Sequence, residues 1–156
     1  MTDRVALRVE VEELYAYYTA ALDDGELARW PELFTVECLY EIVPRENFDR
    51  GLPLALMRCE SRGMLRDRVA ALRQASVYAP RALRHLVSGI RIEGDAILDV
   101  RANYAVFETP LDEETRVLNV GRYLDRVVRD DGRLRFAEKR CVFDSVLVPG
   151  SLVYPL

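Results

Sequence analysis

Histidine, lysine and tryptophan each occur once in these 156 residues, as His85, Lys139 and Trp30, and cysteine occurs three times. A centre held by two imidazoles and two thiolates, or an iron held by two imidazoles and a carboxylate, cannot be built from one histidine. Cys38, Cys59 and Cys141 are odd in number and widely spaced, with no Cys-x-x-Cys or Cys-x-His pair. That pattern fits reduced thiols better than a disulfide framework. No apolar run reaches the length of a membrane span, and Met1-Thr2-Asp3-Arg4 opens no signal-peptide core. A cytoplasmic protein without a membrane partner is expected. The formal net charge of −4 offers no basic face for non-specific nucleic-acid binding. There is no internal repeat, low-complexity tract or linker, so residues 1–156 read as one domain.

What the chain does have is a globular composition, 50% hydrophobic and 31% charged with the charges interspersed. Its 22 basic residues are all arginine except Lys139. Genomic base composition accounts for such a skew. So does selection for interfaces, because the planar guanidinium fork suits carboxylate pairing between chains.

Two long runs flank Asp131-Gly132, a dipeptide that tolerates positive φ at both positions and so marks a hairpin. Gly121, Tyr123, Asp125 and Val127 alternate with Arg122, Leu124, Arg126 and Val128, so neither face of the first arm is cleanly apolar. A one-sided sheet should keep one face dry. Charge on both faces predicts that one lines a cavity while the other meets a second chain.

Upstream, Val11, Leu14, Tyr15, Tyr18 and Leu22 recur at the spacing of one helical face between Arg4 and Leu22, and Asp23-Asp24-Gly25 stops it. A shorter helical segment runs from Glu26 to Phe34, with Leu27, Trp30 and Phe34 facing back. Cys38, Tyr40 and Ile42 alternate in a strand over Glu37–Val43. Pro44 to Glu60 has no period and reads as a long functional or interfacial loop. Ser61 caps a third helix with Leu65, Val69 and Leu72 inward, ended by Tyr78-Ala79-Pro80. Strands Leu86–Glu93 and Ile97–Glu108 then flank Gly94-Asp95, ahead of the terminal hairpin. Helices gathered before a run of hairpins imply an α+β fold with the helices on one face of a curved antiparallel sheet.

That element order, with Leu22-Asp23-Asp24-Gly25-Glu26-Leu27-Ala28-Arg29-Trp30-Pro31-Glu32-Leu33-Phe34, resembles the cone-shaped α+β fold of the nuclear-transport-factor and ketosteroid-isomerase type, also called cystatin-like. Within it, three stretches resemble the small (β) subunits of Rieske-type aromatic-ring-hydroxylating oxygenases: Pro44-Arg45-Glu46-Asn47-Phe48-Asp49-Arg50-Gly51, Glu60 to Arg68, and Val142-Phe143-Asp144-Ser145. Arg84-His85 adds to them, and the nearest group acts on carboxylated aromatics of the terephthalate, salicylate or anthranilate type. The resemblance implies no cofactor in this chain. It implies a large α partner that holds the Rieske [2Fe-2S] cluster and the mononuclear Fe(II), electrons from NAD(P)H, and a trimer of small subunits within an α3β3 complex. The interface candidates are Arg45, Glu46, Asn47, Asp49 and Arg50 in the loop, with Arg122, Arg126 and Arg140 on the hairpin.

Two other readings share the fold. A stand-alone dehydratase or isomerase would use Asp23 and His85 with Tyr15 or Tyr18, because an imidazole–carboxylate pair in a dry pocket moves protons at neutral pH. A small-ligand carrier would use the cone without chemistry. In the subunit reading the catalytic set in this chain is empty, and His85 is a structural or interface residue.

Overall fold

The computed structural model describes residues 3–75, 81–145 and 154–156. Helix α1 (Arg4–Asp23) starts where the Asp3 side chain accepts a hydrogen bond from the Val5 N–H at 2.9 Å, and Gly25, at φ +73°, turns the chain away after it. Its buried stripe is Val11, Leu14, Tyr15, Tyr18, Ala21 and Leu22, the face expected from the spacing. Two 3₁₀ turns, Leu27–Arg29 and Pro31–Leu33, replace the single short helix expected between Glu26 and Phe34, with Pro31 opening the second. They bury Leu27 and Trp30.

Six strands form one sheet: β1 (Phe34–Pro44), β2 (Met57–Cys59), β3 (Arg81–Glu93), β4 (Ile97–Pro110), β5 (Arg116–Asp130) and β6 (Arg133–Phe143), in the order β2-β1-β6-β5-β4-β3. The last four are antiparallel neighbours as expected. The sheet as a whole is mixed, not antiparallel, because β1 lies parallel to β6, with Glu41 opposite Arg140 and Ile42 opposite Cys141. The crossover through helix α3 (Arg62–Ala75) carries the chain from one edge of the sheet to the other and leaves β1 pointing along β6. Register shifts in the β3–β4, β4–β5 and β5–β6 pairings bend the strands.

The Pro44–Glu60 segment also departs from expectation. It contains helix α2 (Arg45–Asp49) and strand β2, each too short to show a period in sequence. Ser61 caps α3 as expected, its Oγ accepting from the Met64 N–H at 3.1 Å, and Leu65, Val69 and Leu72 are buried. The expected stop at Tyr78-Ala79-Pro80 lies outside the described residues. The β5–β6 turn has positive φ at both Asp131 (50°) and Gly132 (77°), the primed geometry that matches strand twist.

Both faces of β5 are now assigned. Gly121, Tyr123, Asp125 and Val127 are buried on the inner face, under α1, and Arg122 and Arg126 are exposed on the outer face. The inner face is aromatic: Tyr15 meets Phe136 edge-on at 5.4 Å, Tyr18 meets it at 5.6 Å, and Tyr104 stacks on Tyr123 at 4.4 Å. Such pairs add about 0.5–1.5 kcal/mol each beyond their burial.

Candidate functional site

Two places collect the chemistry-bearing residues, one inside the cone and one on the outer sheet face. Inside, the chain's sole lysine is completely buried. Lys139 Nζ lies 2.8 Å from Asp125 Oδ2 and sits over the Tyr123 ring at 3.5 Å, with the rings of Tyr18, Phe136 and Tyr15 at 4.4, 4.5 and 4.7 Å. The same carboxylate oxygen accepts from the Tyr15 hydroxyl. Burial raises the Asp125 carboxyl above the usual carboxylate range, and the Lys139 charge and its hydrogen bond pull the other way. Burial likewise pushes the phenols of Tyr15, Tyr18, Tyr40 and Tyr123 well above 10 and the Cys141 thiol up to about 12. The interior therefore holds neutral donors around one ion pair.

The structure brings Asp23 and His85 together. The His85 ring Nδ1 is 2.5 Å from Asp23 Oδ1, and the His85 backbone N–H donates to Oδ2 at 2.9 Å. The contact to Asp23 holds the ring in one orientation, with Nε2 turned away from the carboxylate. That Nε2 is enclosed and has no partner among the described residues. A cleft of about 360 Å³ next to it is lined by Arg8, Glu12, Tyr15, Thr19, His85 and Ser88. Of the two tyrosines in the acid–base reading, Tyr15 lines this cleft and Tyr18 does not. The Tyr18 hydroxyl turns to Tyr40, at 3.5 Å, and to the backbone oxygen of Leu156. His85 also lies within β3, not ahead of it. The pair ties the last residue of α1 to the sheet by two hydrogen bonds, and both side chains are almost wholly buried.

Outside, the loop candidates form a small charged surface around α2. Arg45 lies 3.4 Å from Asp144 and 3.9 Å from Asp49, Arg50 lies 3.2 Å from Glu46, and the Asn47 amide donates to the Leu54 carbonyl at 3.1 Å. Arg122 joins the group, 3.6 Å from Asp49, with its guanidinium 5.7 Å from the centre of the Phe48 ring. Arg140 belongs to a second network, in which Glu41 accepts from Arg140 at 2.9 Å and from Arg58 at 2.8 Å, while Glu138 and Glu60 terminate it. Arg126 pairs with Asp99 at 3.4 Å and stands opposite Glu138 in the β5–β6 register. The candidates therefore form two connected groups plus one pair along the outer face.

Sequence reasoning missed two things. Lys139 is the buried partner of Asp125 at the electrostatic centre of the interior, and the signal was the lysine's solitude among arginines. Leu52, Leu54 and Leu56, between 43% and 63% exposed, flank the charged loop with apolar surface, and Val117, Val120 and Leu86 do the same on the sheet. Aperiodic leucines in a loop were the available sign of that surface.

Among the described residues no three histidine, cysteine or acidic side chains converge as metal ligands. The donor set does not suit an iron–sulfur or mononuclear iron site in this chain: all three cysteines are buried, and the one imidazole is engaged with Asp23.

Residues 3–140 match the SnoaL-like domain family. The anthranilate 1,2-dioxygenase small subunit of Burkholderia cepacia is 40% identical over 158 residues, covering 100% of this chain and 98% of that one. Subunit beta 2 of the terephthalate 1,2-dioxygenase terminal oxygenase component from a Comamonas species is 31% identical, covering 95% and 97%. Among solved structures, a beta subunit assigned to an aromatic-ring-hydroxylating dioxygenase of Novosphingobium aromaticivorans superposes with a TM-score of 0.84 at 39% identity, over 96% of this chain and 97% of that one.

Proposed function

The chain belongs to the small (beta) subunits of aromatic-ring-hydroxylating dioxygenases, and on that footing we propose that it is the non-catalytic scaffold of a three-plus-three complex whose large subunit holds the Rieske cluster and the mononuclear iron. The observation that carries this reading is the end-to-end similarity to small subunits, in a chain whose own donors cannot hold either iron centre. The outer face supports it. Arg45, Glu46, Asn47, Asp49, Arg50 and Arg122 form a charged surface around α2, next to exposed leucines at 52, 54 and 56. Charged rims beside apolar patches are what specific interfaces use. Arg126 and Arg140 extend the charged surface across β5 and β6.

The substrate of the complex is a carboxylated aromatic in this proposal, following the anthranilate and terephthalate relatives, and the site of action is cytoplasmic. Ring hydroxylation belongs to the large chain. The Asp23–His85 pair serves as a brace between α1 and β3.

The test is native mass spectrometry and iron analysis of the chain co-expressed with its large partner. Equal numbers of the two chains, three of each, with iron in the large one, are expected. An iron-free assembly of this chain alone, with no large partner retained, would overturn the reading. The complex carrying Asp23→Asn separates brace from catalyst: turnover per iron is expected to be unchanged, with a stability loss of about 1–3 kcal/mol from the weakened buried pair. Loss of turnover in an intact complex would return Asp23 and His85 to the chemistry.

A further inference from the structure

The side of α1 turned away from the core is not the polar surface that an outer helix usually presents. Val9 is 52% exposed and Tyr17 is 61% exposed, and with Glu13 between them they follow one i, i+4 ridge. Beside this ridge lies a cavity of about 870 Å³, bounded also by the two 3₁₀ turns and by the β5–β6 turn. Its floor is apolar: Leu14 belongs to the core, and Leu33 and Leu134 pack against it. That volume and that floor are those of a small-molecule site. A recess walled by three elements suits a small molecule better than the face of another protein.

The charges around the recess single out two residues. Glu10 pairs with Arg129 at 2.9 Å, Glu32 with Arg66 at 2.6 Å, Arg29 with Glu26 at 2.8 Å and Arg135 with Asp130 at 2.8 Å. Glu13, on the helix, and Arg133, at the start of β6, line the same cavity. Neither has an ion-pair partner among the described residues, and they do not reach each other. One wall therefore offers a free carboxylate and another a free guanidinium, in a recess whose remaining surface is largely apolar.

We propose that this recess binds an aromatic zwitterion, a flat ring with a carboxylate at one end and a protonated amine at the other. The carboxylate takes the planar fork of Arg133, the ammonium pairs with Glu13, and the ring lies on Leu134 and against Tyr17. A neutral ligand would leave both charges unused, and an anion alone would leave Glu13 unpaired. The proposal does not depend on the assembly reading. Helix α1 covers the inner face of the sheet, whereas Arg122 and Arg126 stand on the outer one.

The test uses the full-length chain and three probes of similar shape. 4-(Aminomethyl)benzoate carries both charges, 4-methylbenzoate only the carboxylate, and 4-methylbenzylamine only the ammonium. Calorimetry and saturation-transfer NMR are expected to show saturable one-to-one binding, tightest for the first. Glu13→Gln is expected to weaken 4-(aminomethyl)benzoate about fivefold without weakening 4-methylbenzoate. Arg133→Gln is expected to weaken both carboxylates about fivefold without weakening 4-methylbenzylamine. Both positions are exposed, so the variants keep the fold. Equal affinity for the three probes, or variants without these selective losses, would mean an apolar recess only and overturns the proposal. Absence of saturable binding overturns it as well. Repeating the titration on the complex with the large subunit separates a ligand site from a protein contact. Unchanged affinity is expected there, and loss of binding on assembly would make the recess a subunit contact and overturn the proposal.

Discussion

Removing the Lys139 ammonium leaves the Asp125 carboxylate buried among aromatic rings with the Tyr15 hydroxyl as its remaining side-chain partner. A buried pair broken on one side costs about 3–5 kcal/mol, whereas replacing both members by neutral groups costs much less. Lys139→Met is therefore expected to lower the free energy of unfolding by that amount, and Lys139→Met with Asp125→Asn to recover most of it, in denaturant melts at neutral pH. The pH dependence has a definite sign. Burial already raises the Asp125 carboxyl with Lys139 present, and without the ammonium it rises further. A folded carboxyl raised above its unfolded value favours the fold below that unfolded value, near 3.9, and the advantage is lost as pH rises. The gap between Lys139→Met and the unaltered chain should thus be narrow near pH 4 and widen toward pH 7. A gap that is constant over this range would mean that Asp125 stays ionised without its lysine.

At the scale of elements, the sequence made visible whatever was long enough to repeat. The α1 stripe, the alternation of Leu98, Val100, Ala102, Tyr104 and Val106 in β4, and the Asp131-Gly132 turn all stand in the structure where period and turn chemistry put them. Helix α2 and strand β2 were not legible, because five and three residues complete no pattern. The parallel β1–β6 pairing was hidden for another reason, since register between distant strands is set by the crossover and not by either strand's composition. Gly121 marks a different pairing, that of β5 with β6. A methyl group there would lie 2.1 Å from the Val142 carbonyl oxygen and 2.8 Å from Phe143 Cα, so β5 and β6 approach as closely as they do only without a side chain at 121. Gly121→Ala is expected to destabilise the chain by about 1–3 kcal/mol through forced strand separation. Hydrogen exchange should show faster amide exchange around Val142 and Phe143 and little change at the Asp131-Gly132 end. Uniform protection would mean that the strands absorb the methyl without parting.

For the whole molecule, the decisive division is between the two faces of one sheet. The inner face spends its polar groups on each other: Lys139 on Asp125, His85 on Asp23, and Tyr104 on Asn119 at 2.7 Å. Around α2 the outer face carries ion pairs whose members remain largely exposed, and such pairs contribute about 0–1 kcal/mol each to a chain on its own. Folding does not require them, so in the proposed assembly they are free to serve partner binding. Reversing Arg45 and Arg50 together to glutamate tests this directly. In the isolated chain the change breaks the contacts to Asp144, Asp49 and Glu46, all at the surface, and is expected to move the free energy of unfolding by no more than about 1 kcal/mol. If the α2 surface docks on the large subunit as proposed, the change sets like charges against groups that complement arginine, a mismatch that costs several kcal/mol per interface. Co-purification with the large subunit should fall while the melting temperature of the isolated chain holds. The opposite pattern, an intact complex around a chain that no longer folds alone, would assign the α2 surface to the stability of this subunit and move the docking face to the Arg126 and Arg140 side of the sheet.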